Sequence, residues 1–251
     1  MITKIKTAKE ISSMREAGRQ LATVLQYLKT TIESGMSTKD IANLAAEKLR
    51  TLGGKPAFLG YYGFPDVICI SVNDEVVHGI PSPNKILQTG DIVSLDFGVT
   101  IDQMITDAAI SVVVGTTNNS KITNLLRTTE ESLLAGAETL RDGVQVGTIS
   151  NAIETVLKKQ HYGIVKDLVG HGVGHELHEE PNIPNYGKAN RGMVLREGMT
   201  IAIEPMVTLG TDKVFTADDG WTIKTQDRSL SAHFEHTILI THNSYEILTI
   251  M

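Results

Sequence analysis

The sequence has little of several features that mark whole classes of protein. Cys69 is the single cysteine among 251 residues, which rules out an internal disulfide and fits a reducing compartment. No run of about 18 apolar residues occurs and no apolar stretch follows the first methionine, so neither a membrane span nor a secretory signal is expected. The formal net charge is -6 and no lysine or arginine run is present, which argues against an extended nucleic-acid surface. These absences favour a cytoplasmic protein with no membrane partner and no specific nucleic-acid partner.

The chain also lacks a linker or a low-complexity segment, so residues 1–251 are expected to form one domain. Hydrophobic residues make up 41% and charged residues 21%, which is ordinary for a globular protein, and the length supplies a full core. No coiled-coil seam is visible, and a monomer is therefore the default expectation.

Helix signals occur twice in the same order. Capping boxes at Thr7–Glu10 and Ser37–Asp40 predict two helices, and residues 120–141 and 148–160 predict two more. This repeated helix–glycine–helix order makes an internal duplication into two similar halves plausible. The last third is rich in predicted strands, at Met199–Leu209, Trp221–Thr225 and Ala232–Thr241.

The stretch Gly90–Val114 is predicted as two strands joined by a short polar turn. A turn centred between Ile101 and Asp102 would place Asp96 directly opposite Asp107. Like charges at facing positions of an antiparallel pair are destabilising, so these carboxylates need protonation, a cationic partner or a metal. We therefore expect this hairpin to supply part of a metal site.

Three further segments place metal-ligand side chains in apolar or glycine-rich surroundings. His171 lies between two glycines in the predicted loop GHGVGHELH, Glu204 lies in TIAIEPMV, and Glu235 lies in AHFEHTILI. A carboxylate within an apolar strand is costly unless it is paired or coordinates a metal, and these strands carry no matching lysine or arginine. Four carboxylates and one imidazole suit Mn, Fe, Co or Zn. Because one ion does not need four carboxylates, two divalent ions that share bridging carboxylates are favoured.

Six motifs run through the chain in order: VVHGIP at 76–81, LDFG at 95–98, ITDAA at 105–109, GHGVG at 170–174, IEP at 203–205 and FEHT at 234–237. Their order and spacing resemble those of type 1 methionine aminopeptidases of the short bacterial form, in peptidase family M24, over essentially the whole chain. The resemblance implies the α+β pita-bread fold, an antiparallel sheet with covering helices and pseudo-two-fold halves. It also implies removal of the initiator methionine from nascent proteins when the second residue is small, by a dinuclear metal-activated hydroxide.

The resemblance assigns the metal ligands by position. Asp107 and Glu235 would bridge two ions, Asp96 would hold one of them, and His171 with Glu204 would hold the other. The free amino terminus of the substrate would sit on the ion near Asp96. The same resemblance implies a monovalent cation near Asn73, which is a weaker expectation because it involves neighbouring backbone oxygens.

The resemblance also assigns catalytic roles. Glu204 would act as general base and then as general acid. His178 would donate a hydrogen bond to the carbonyl oxygen as charge develops there, and His78 would contact the backbone of the second residue.

A methionine pocket is implied next to these groups. Phe58 stands where a small residue is expected and Leu177 where an aromatic is expected, and the two changes could offset each other in volume. The full substrate-binding set is Phe58, Tyr61, Phe64, Cys69, His78, Leu177, His178 and Trp221.

Two other functions remain open at this stage. A prolidase or aminopeptidase P of the same fold would cleave before proline, although these enzymes usually carry an extra N-terminal domain. A non-catalytic peptide- or nucleic-acid-binding module would have lost its ligands, and a metal-binding assay would identify it. The physiological metal and a contact with the ribosome are left open. Surface or supporting positions are expected for the other histidines, His161, His175, His233, His236 and His242.

Overall fold

The computed structural model describes residues 3–251. Its helices are α1 (Ala8–Thr31), α2 (Thr38–Leu52), α3 (Ser120–Ala137), α4 (Val146–Lys158) and a short 3-10 helix, Tyr61–Gly63. Both predicted capping boxes form, at the starts of α1 and α2. Gly53 ends α2 with a φ of 87°, which a residue with a side chain rarely adopts. Within residues 3–251, no helix is both long and apolar enough to cross a membrane.

Short strands make up most of the remaining regular structure. In chain order they are β1 (Lys55–Pro56), β2 (Cys69–Val72), β3 (Glu75–Val77), β4 (Ile92–Ile101), β5 (Met104–Val113), β6 (Gly163–Ile164), β7 (Gly170–Gly172), β8 (Glu179–Ile183), β9 (Thr200–Ile203), β10 (Met206–Thr208), β11 (Val214–Thr216), β12 (Ile223–Thr225), β13 (Ser231–His233), β14 (Glu235–Ile240) and β15 (Tyr245–Ile247).

The strands form one large antiparallel sheet and two small ones. The large sheet has the order β1-β4-β5-β14-β9-β7-β8, with β2 paired to β4 and β15 paired to β14. Two three-stranded sheets have the orders β13-β10-β6 and β11-β12-β3. Strand β14 lies between β5 and β9, so it joins strands from the first and second halves of the chain.

Two buried clusters cover the large sheet, one for each half of the chain. One cluster packs α1 and α2 against β2, β4 and β5, with Leu21, Leu49 and Phe97 at 0–1% exposure. The other packs α3 and α4 against β9 and β14, with Leu133 and Ile153 among its members. Each half therefore buries its own helix pair against a shared sheet, as expected for the predicted pita-bread fold.

The register of the β4–β5 hairpin differs from the predicted one by two residues. The turn lies at Asp102–Gln103, both with positive φ (47° and 68°), and pairs Ile101 with Met104. Asp96 consequently faces Ala109, and Asp107 faces Gly98. The prediction that the two aspartates face each other directly is therefore wrong. They are diagonal neighbours on one face of the sheet, still close enough to interact.

Two predicted continuous strands are interrupted. Met199–Leu209 contains β9 and β10 in different sheets, because Pro205 offers no backbone N–H to continue the ladder. Ala232–Thr241 is likewise divided between β13 and β14 at Phe234. Glu204 and Glu235 lie at these breaks, where the chain changes from one sheet to another.

Candidate active site

A cavity of about 440 Å³ opens at the centre of the large sheet. Every residue predicted for the metal, catalytic and substrate-binding sets lines it. These residues are Phe58, Tyr61, Phe64, Cys69, His78, Asp96, Asp107, His171, Leu177, His178, Glu204, Trp221 and Glu235, and Tyr62 and Val77 complete the lining. The cavity thus has an acidic part and an aromatic part.

The acidic part is assembled by strand order. Asp96, Asp107, Glu235 and His171 lie on β4, β5, β14 and β7, and Glu204 directly follows β9. These five strands are consecutive in the sheet, in the order β4-β5-β14-β9-β7. Residues far apart in the sequence are therefore brought together by the central position of β14.

His171 lies on the short strand β7, where the glycine-rich sequence had suggested a loop. Its Nδ1 donates to the carbonyl oxygen of Gly172 at 2.9 Å, since a carbonyl oxygen can only accept. The bare Nε2 lies 3.3 Å from Oε1 of Glu204 and 4.0 Å from Oε1 of Glu235. Single ligand atoms of Asp107, His171 and Glu235 also lie within 4.8 Å of one another. This orientation leaves Nε2 free to bind a cation.

The carboxylates of this cluster are buried without cationic partners. Burial raises the pKa values of Asp96, Glu204 and Glu235 well above the ordinary range, and the neighbouring carboxylates raise them further. Burial also raises the pKa of Asp107 to about 7. Among residues 3–251 the ion-pair contacts of Glu204 and Glu235 are to histidines alone.

Several polar atoms of this cluster also lack hydrogen-bond partners. One oxygen each of Asp96, Asp107 and Glu235 has none within the described residues. Buried polar atoms without partners are costly, and a bound ion or water is one way in which native proteins satisfy them. The set of oxygen and imidazole donors fits divalent metal ions.

His78 and His178 line the same cavity. His178 precedes β8, and its Nδ1 lies 2.9 Å from the hydroxyl oxygen of Tyr61. Its ring packs edge-on against that of His171, with centroids 4.4 Å apart. His78 follows β3 with a φ of 59°, and its ring faces Trp221. Burial, aided by the charge of His178, lowers the pKa of His78 to about 4.

The aromatic part of the cavity is an apolar cluster. Phe58, Phe64, Cys69 and Leu177 are buried together, and Trp221 packs edge-on against Phe64 with centroids 5.2 Å apart. The two residues that depart from the expected pattern, Phe58 and Leu177, are therefore in the same cluster.

Gly98 makes room for the larger of these two residues. A Cβ added at Gly98 would lie 2.7 Å from the Phe58 ring, so this glycine permits the aromatic side chain there.

His233 lies directly beside the acidic cluster, although the sequence indicated no specific role for it. It is buried at 1% exposure, and its Nε2 lies 3.7 Å from Oε2 of Glu204 and 4.0 Å from Oε2 of Glu235. Neither ring nitrogen has a hydrogen-bond partner within residues 3–251. Its place in AHFEH, two residues before Glu235, was the available signal.

The other histidines occupy varied positions. His175 pairs with Glu10, His242 pairs with Glu197, and His161 is exposed. His236 is mostly buried and hydrogen-bonds Oγ1 of Thr249 through Nδ1 at 2.8 Å.

Asn73 lies in a compact backbone turn, with a φ of 58°. Its side chain donates to Oδ1 of Asp91 and accepts from the Ile92 N–H, and its carbonyl oxygen accepts from the backbone N–H and Oγ of Ser231. These bonds account for the conformation without an ion, and a monovalent cation there stays a prediction.

Comparison with known proteins agrees with this geometry. Residues 12–242 match the group described as metallopeptidase family M24. The chain belongs to this family. The family that the six motifs indicated is therefore confirmed, and a metallopeptidase of this family requires divalent metal.

The relatives of this M24 chain carry consistent names. A methionine aminopeptidase of Mycoplasma capricolum is 44% identical over 249 residues, covering 99% of this chain and 98% of that protein. Methionine aminopeptidase 1 of Bacillus subtilis is 44% identical over 244 residues, covering 97% and 98% of the two chains.

Solved structures agree in fold. The crystal structure of methionine aminopeptidase from Thermotoga maritima matches with a TM-score of 0.97 at 44% identity, covering 100% of both chains. A prolidase from Pyrococcus furiosus matches with a TM-score of 0.80 at 25% identity, covering 98% of this chain and 65% of that one. The predicted pita-bread fold is confirmed by these matches.

Proposed function

We propose that this M24 metallopeptidase removes the N-terminal methionine from peptides and new proteins whose second residue is small. The observation that carries the proposal is the junction, in one cavity, of a buried acidic cluster with an apolar aromatic pocket. An unbranched thioether fits such an apolar pocket, where sulfur–ring contacts each contribute about 0.3–1.5 kcal/mol.

Asp96, Asp107, His171, Glu204 and Glu235 would hold two divalent ions, which we propose to be Co, Mn, Fe or Zn. When bound there, such ions lower the pKa of a coordinated water and polarise the scissile carbonyl. The buried atoms without partners described above support this assignment. We further propose that Asp107 and Glu235 would contribute to holding both ions, and that the ion held by Asp96 would take the substrate amino group.

Three side chains would act on the peptide directly. Glu204 accepts a proton from the attacking water and passes it to the leaving amine, first as base and then as acid. His178 donates a hydrogen bond to the scissile carbonyl oxygen as negative charge develops on it. His78 contacts the backbone of the second residue.

The remaining expectations extend this proposal. We propose that residues 1–251 act as one catalytic domain, because the cavity takes residues from both halves of the chain. We also propose a cytoplasmic monomer without a specific nucleic-acid partner, a monovalent cation near Asn73, and work on chains that emerge from the ribosome.

The test is metal-reconstituted cleavage of a peptide series Met-X-Ser, in which X runs from Gly and Ala to Leu and Arg. Release of methionine confined to small X is the expected result. Peptides with norleucine or leucine first, and an Ala-Pro-Ser peptide, test the alternatives in parallel. Intact Met-Ala-Ser under Co, Mn and Fe, with metal shown to be bound, would overturn the proposal, and cleavage before proline would indicate a prolidase-like enzyme.

The role of the aromatic pocket has a separate test. Leu177→Phe adds volume beside Phe58, and overpacking of this kind costs about 1–3 kcal/mol. We expect KM for Met-Ala-Ser to rise about tenfold with little change in kcat. The double variant Leu177→Phe with Phe58→Ala should recover most of the affinity, and failure to recover would show that the two residues do not share the pocket.

A further inference from the structure

Tyr61 and His178 meet at the edge of the cavity. Tyr61 begins the 3-10 helix and His178 directly precedes β8. The hydroxyl oxygen of Tyr61 lies 2.9 Å from Nδ1 of His178, and the two ring centroids are 5.4 Å apart. The role expected of Tyr61 in the wall of the methionine pocket needs its ring and not its hydroxyl.

The two nitrogens of a neutral imidazole differ in function. One carries the proton and donates, while the other accepts, and a hydrogen bond to one nitrogen determines the state of the other. To donate to a substrate carbonyl through Nε2, the ring must keep Nδ1 unprotonated. A hydroxyl group that donates to Nδ1 selects this tautomer. Removal from water raises the pKa of Tyr61, so its hydroxyl keeps the proton that such a bond requires.

We propose that Tyr61 is a positioning residue for His178: its hydroxyl donates to Nδ1 and so keeps the proton on Nε2, the nitrogen left for the substrate. This inference rests on the role given to His178 in the proposed function. Tyr61 thereby contributes to the reaction through its hydroxyl, in addition to any contact of its ring with the methionine side chain.

The backbone next to His178 is held separately. The carboxylate of Glu179 accepts from the backbone N–H groups of His175 and Glu176 and from Nζ of Lys6. These bonds position the loop, but none of them contacts the imidazole. His171 packs against the edge of the ring, and the Tyr61 hydroxyl is the hydrogen-bonding group that contacts Nδ1.

The tautomer can be measured without substrate. In protein labelled with ¹⁵N-histidine and loaded with diamagnetic Zn²⁺, the His178→Ala variant identifies the His178 resonances. We expect Nδ1 to appear unprotonated and Nε2 protonated, and Tyr61→Phe to convert them into a mixture of tautomers. A protonated Nδ1 in the wild-type protein, or an unchanged spectrum in Tyr61→Phe, would overturn the proposal.

Kinetics supply the second readout. Tyr61→Phe should lower kcat for Met-Ala-Ser about tenfold with little change in KM, the effect of one lost hydrogen bond. In the His178→Ala background it should have no further effect, because the group it orients is absent. Equal losses in both backgrounds would assign Tyr61 to the pocket wall alone.

Tyr27→Phe is the control, since it removes a hydroxyl on α1 and keeps a ring in contact with Lys48. If the wild-type protein releases no methionine, the proposed function fails, while the spectrum still tests the tautomer.

Discussion

Two sets of buried carboxylates in this molecule have opposite surroundings. Glu179 is 4% exposed and accepts hydrogen bonds from two backbone N–H groups and from Nζ of Lys6, which is itself 4% exposed. Burial acts to raise its pKa, but bonds from Thr3, the Glu176 N–H and Lys6 lower it overall. Glu204, at 8% exposure, has histidines and other carboxylates around it, and its pKa is raised.

Burial alone therefore does not determine whether the pKa of a carboxyl group is raised or lowered, because its charged and hydrogen-bonding neighbours also act on it. The Lys6–Glu179 pair satisfies its own charges and supports the loop before β8. The carboxylates of the cavity have no lysine or arginine beside them. Their ionised forms are therefore costly for folding unless a bound cation compensates their charge. Glutamate at similar depth thus supports the structure at position 179 and is proposed to serve the chemistry at position 204.

The largest expected effect comes from Glu204→Gln. Loss of the proposed base should lower kcat about 10³-fold for Met-Ala-Ser. The same variant should raise Tm of the metal-free protein by about 2–4 °C, because one member of an unpaired acidic cluster is gone. Kinetics with loaded enzyme and thermal melts in a chelator measure the two effects. Glu130→Gln, an exposed change on α3, is the control. A lower Tm for Glu204→Gln would contradict the claim that the cavity carboxylates destabilise the metal-free protein.

Lys6→Met tests the other side of the comparison. It leaves Glu179 buried without its cation, and breaking a buried pair in this way costs about 3–5 kcal/mol. Urea unfolding should show this loss, whereas Lys4→Met at an exposed position should change little. A stability loss below about 1 kcal/mol would mean that Glu179 is satisfied by its backbone donors alone.

The pH dependence of the metal-free protein is the next effect in size. The pKa of Asp107 is raised from 3.8 to about 7. A carboxyl group with a raised folded-state pKa favours folding fully below its unfolded pKa, and this benefit disappears as pH rises through the folded value. The histidines with lowered pKa values act in the opposite direction near pH 6.5, where about half of the unfolded imidazoles are protonated, and they add little above about pH 7.5. The carboxyl groups of Asp96, Glu204 and Glu235, whose pKa values are also raised, add to the fall in stability caused by Asp107.

We therefore expect Tm in a chelator to fall between about pH 6.5 and about pH 8. Saturating metal should remove most of this slope, because bound ions compensate the ionised carboxylates. The Asp107→Asn variant should also lose part of it. A chelated protein whose Tm rises over this range would contradict the assignment of unpaired carboxylates.

The smallest effect is expected for Glu10→Gln. Oε1 of Glu10 lies 2.8 Å from Nε2 of His175, in a contact that is partly open to solvent. Such exposed pairs contribute at most about 1 kcal/mol, and glutamine can still cap α1. Urea unfolding at low and high salt should show a small loss that salt reduces. A loss of stability as large as that of Lys6→Met would show that solvent exposure does not explain the different contributions of these two ion pairs.

Much of the site could be predicted because its chemistry is visible in short motifs. Carboxylates in TIAIEPMV and AHFEHTILI are unusual in any strand, and a histidine between two glycines has no neighbouring side chains to shield its ring nitrogens from an ion. Local signals also predicted the starts of α1 and α2, because Thr7 and Ser37 begin capping boxes that form in the structure.

The hairpin register that was predicted wrongly, and the contacts that were not predicted, depend on how distant segments pair. The turn at Asp102–Gln103 uses positive φ at two residues that are not glycine, and that choice shifts the hairpin register by two. His233 was left without a role because its depth depends on the break at Phe234, which a single sequence does not reveal. The bond between Tyr61 and His178 joins segments more than a hundred residues apart, so no local pattern contains it.

The position of β14 has a consequence for synthesis of the chain. This strand, Glu235–Ile240, pairs with β5 on one side and β9 on the other. Until it has been made, the two halves of the sheet have no common strand and the acidic cluster lacks Glu235. An incomplete chain is therefore expected to be inert and to bind its metals poorly. The proposed removal of methionine from the beginnings of other proteins therefore requires that the late part of this chain is in place.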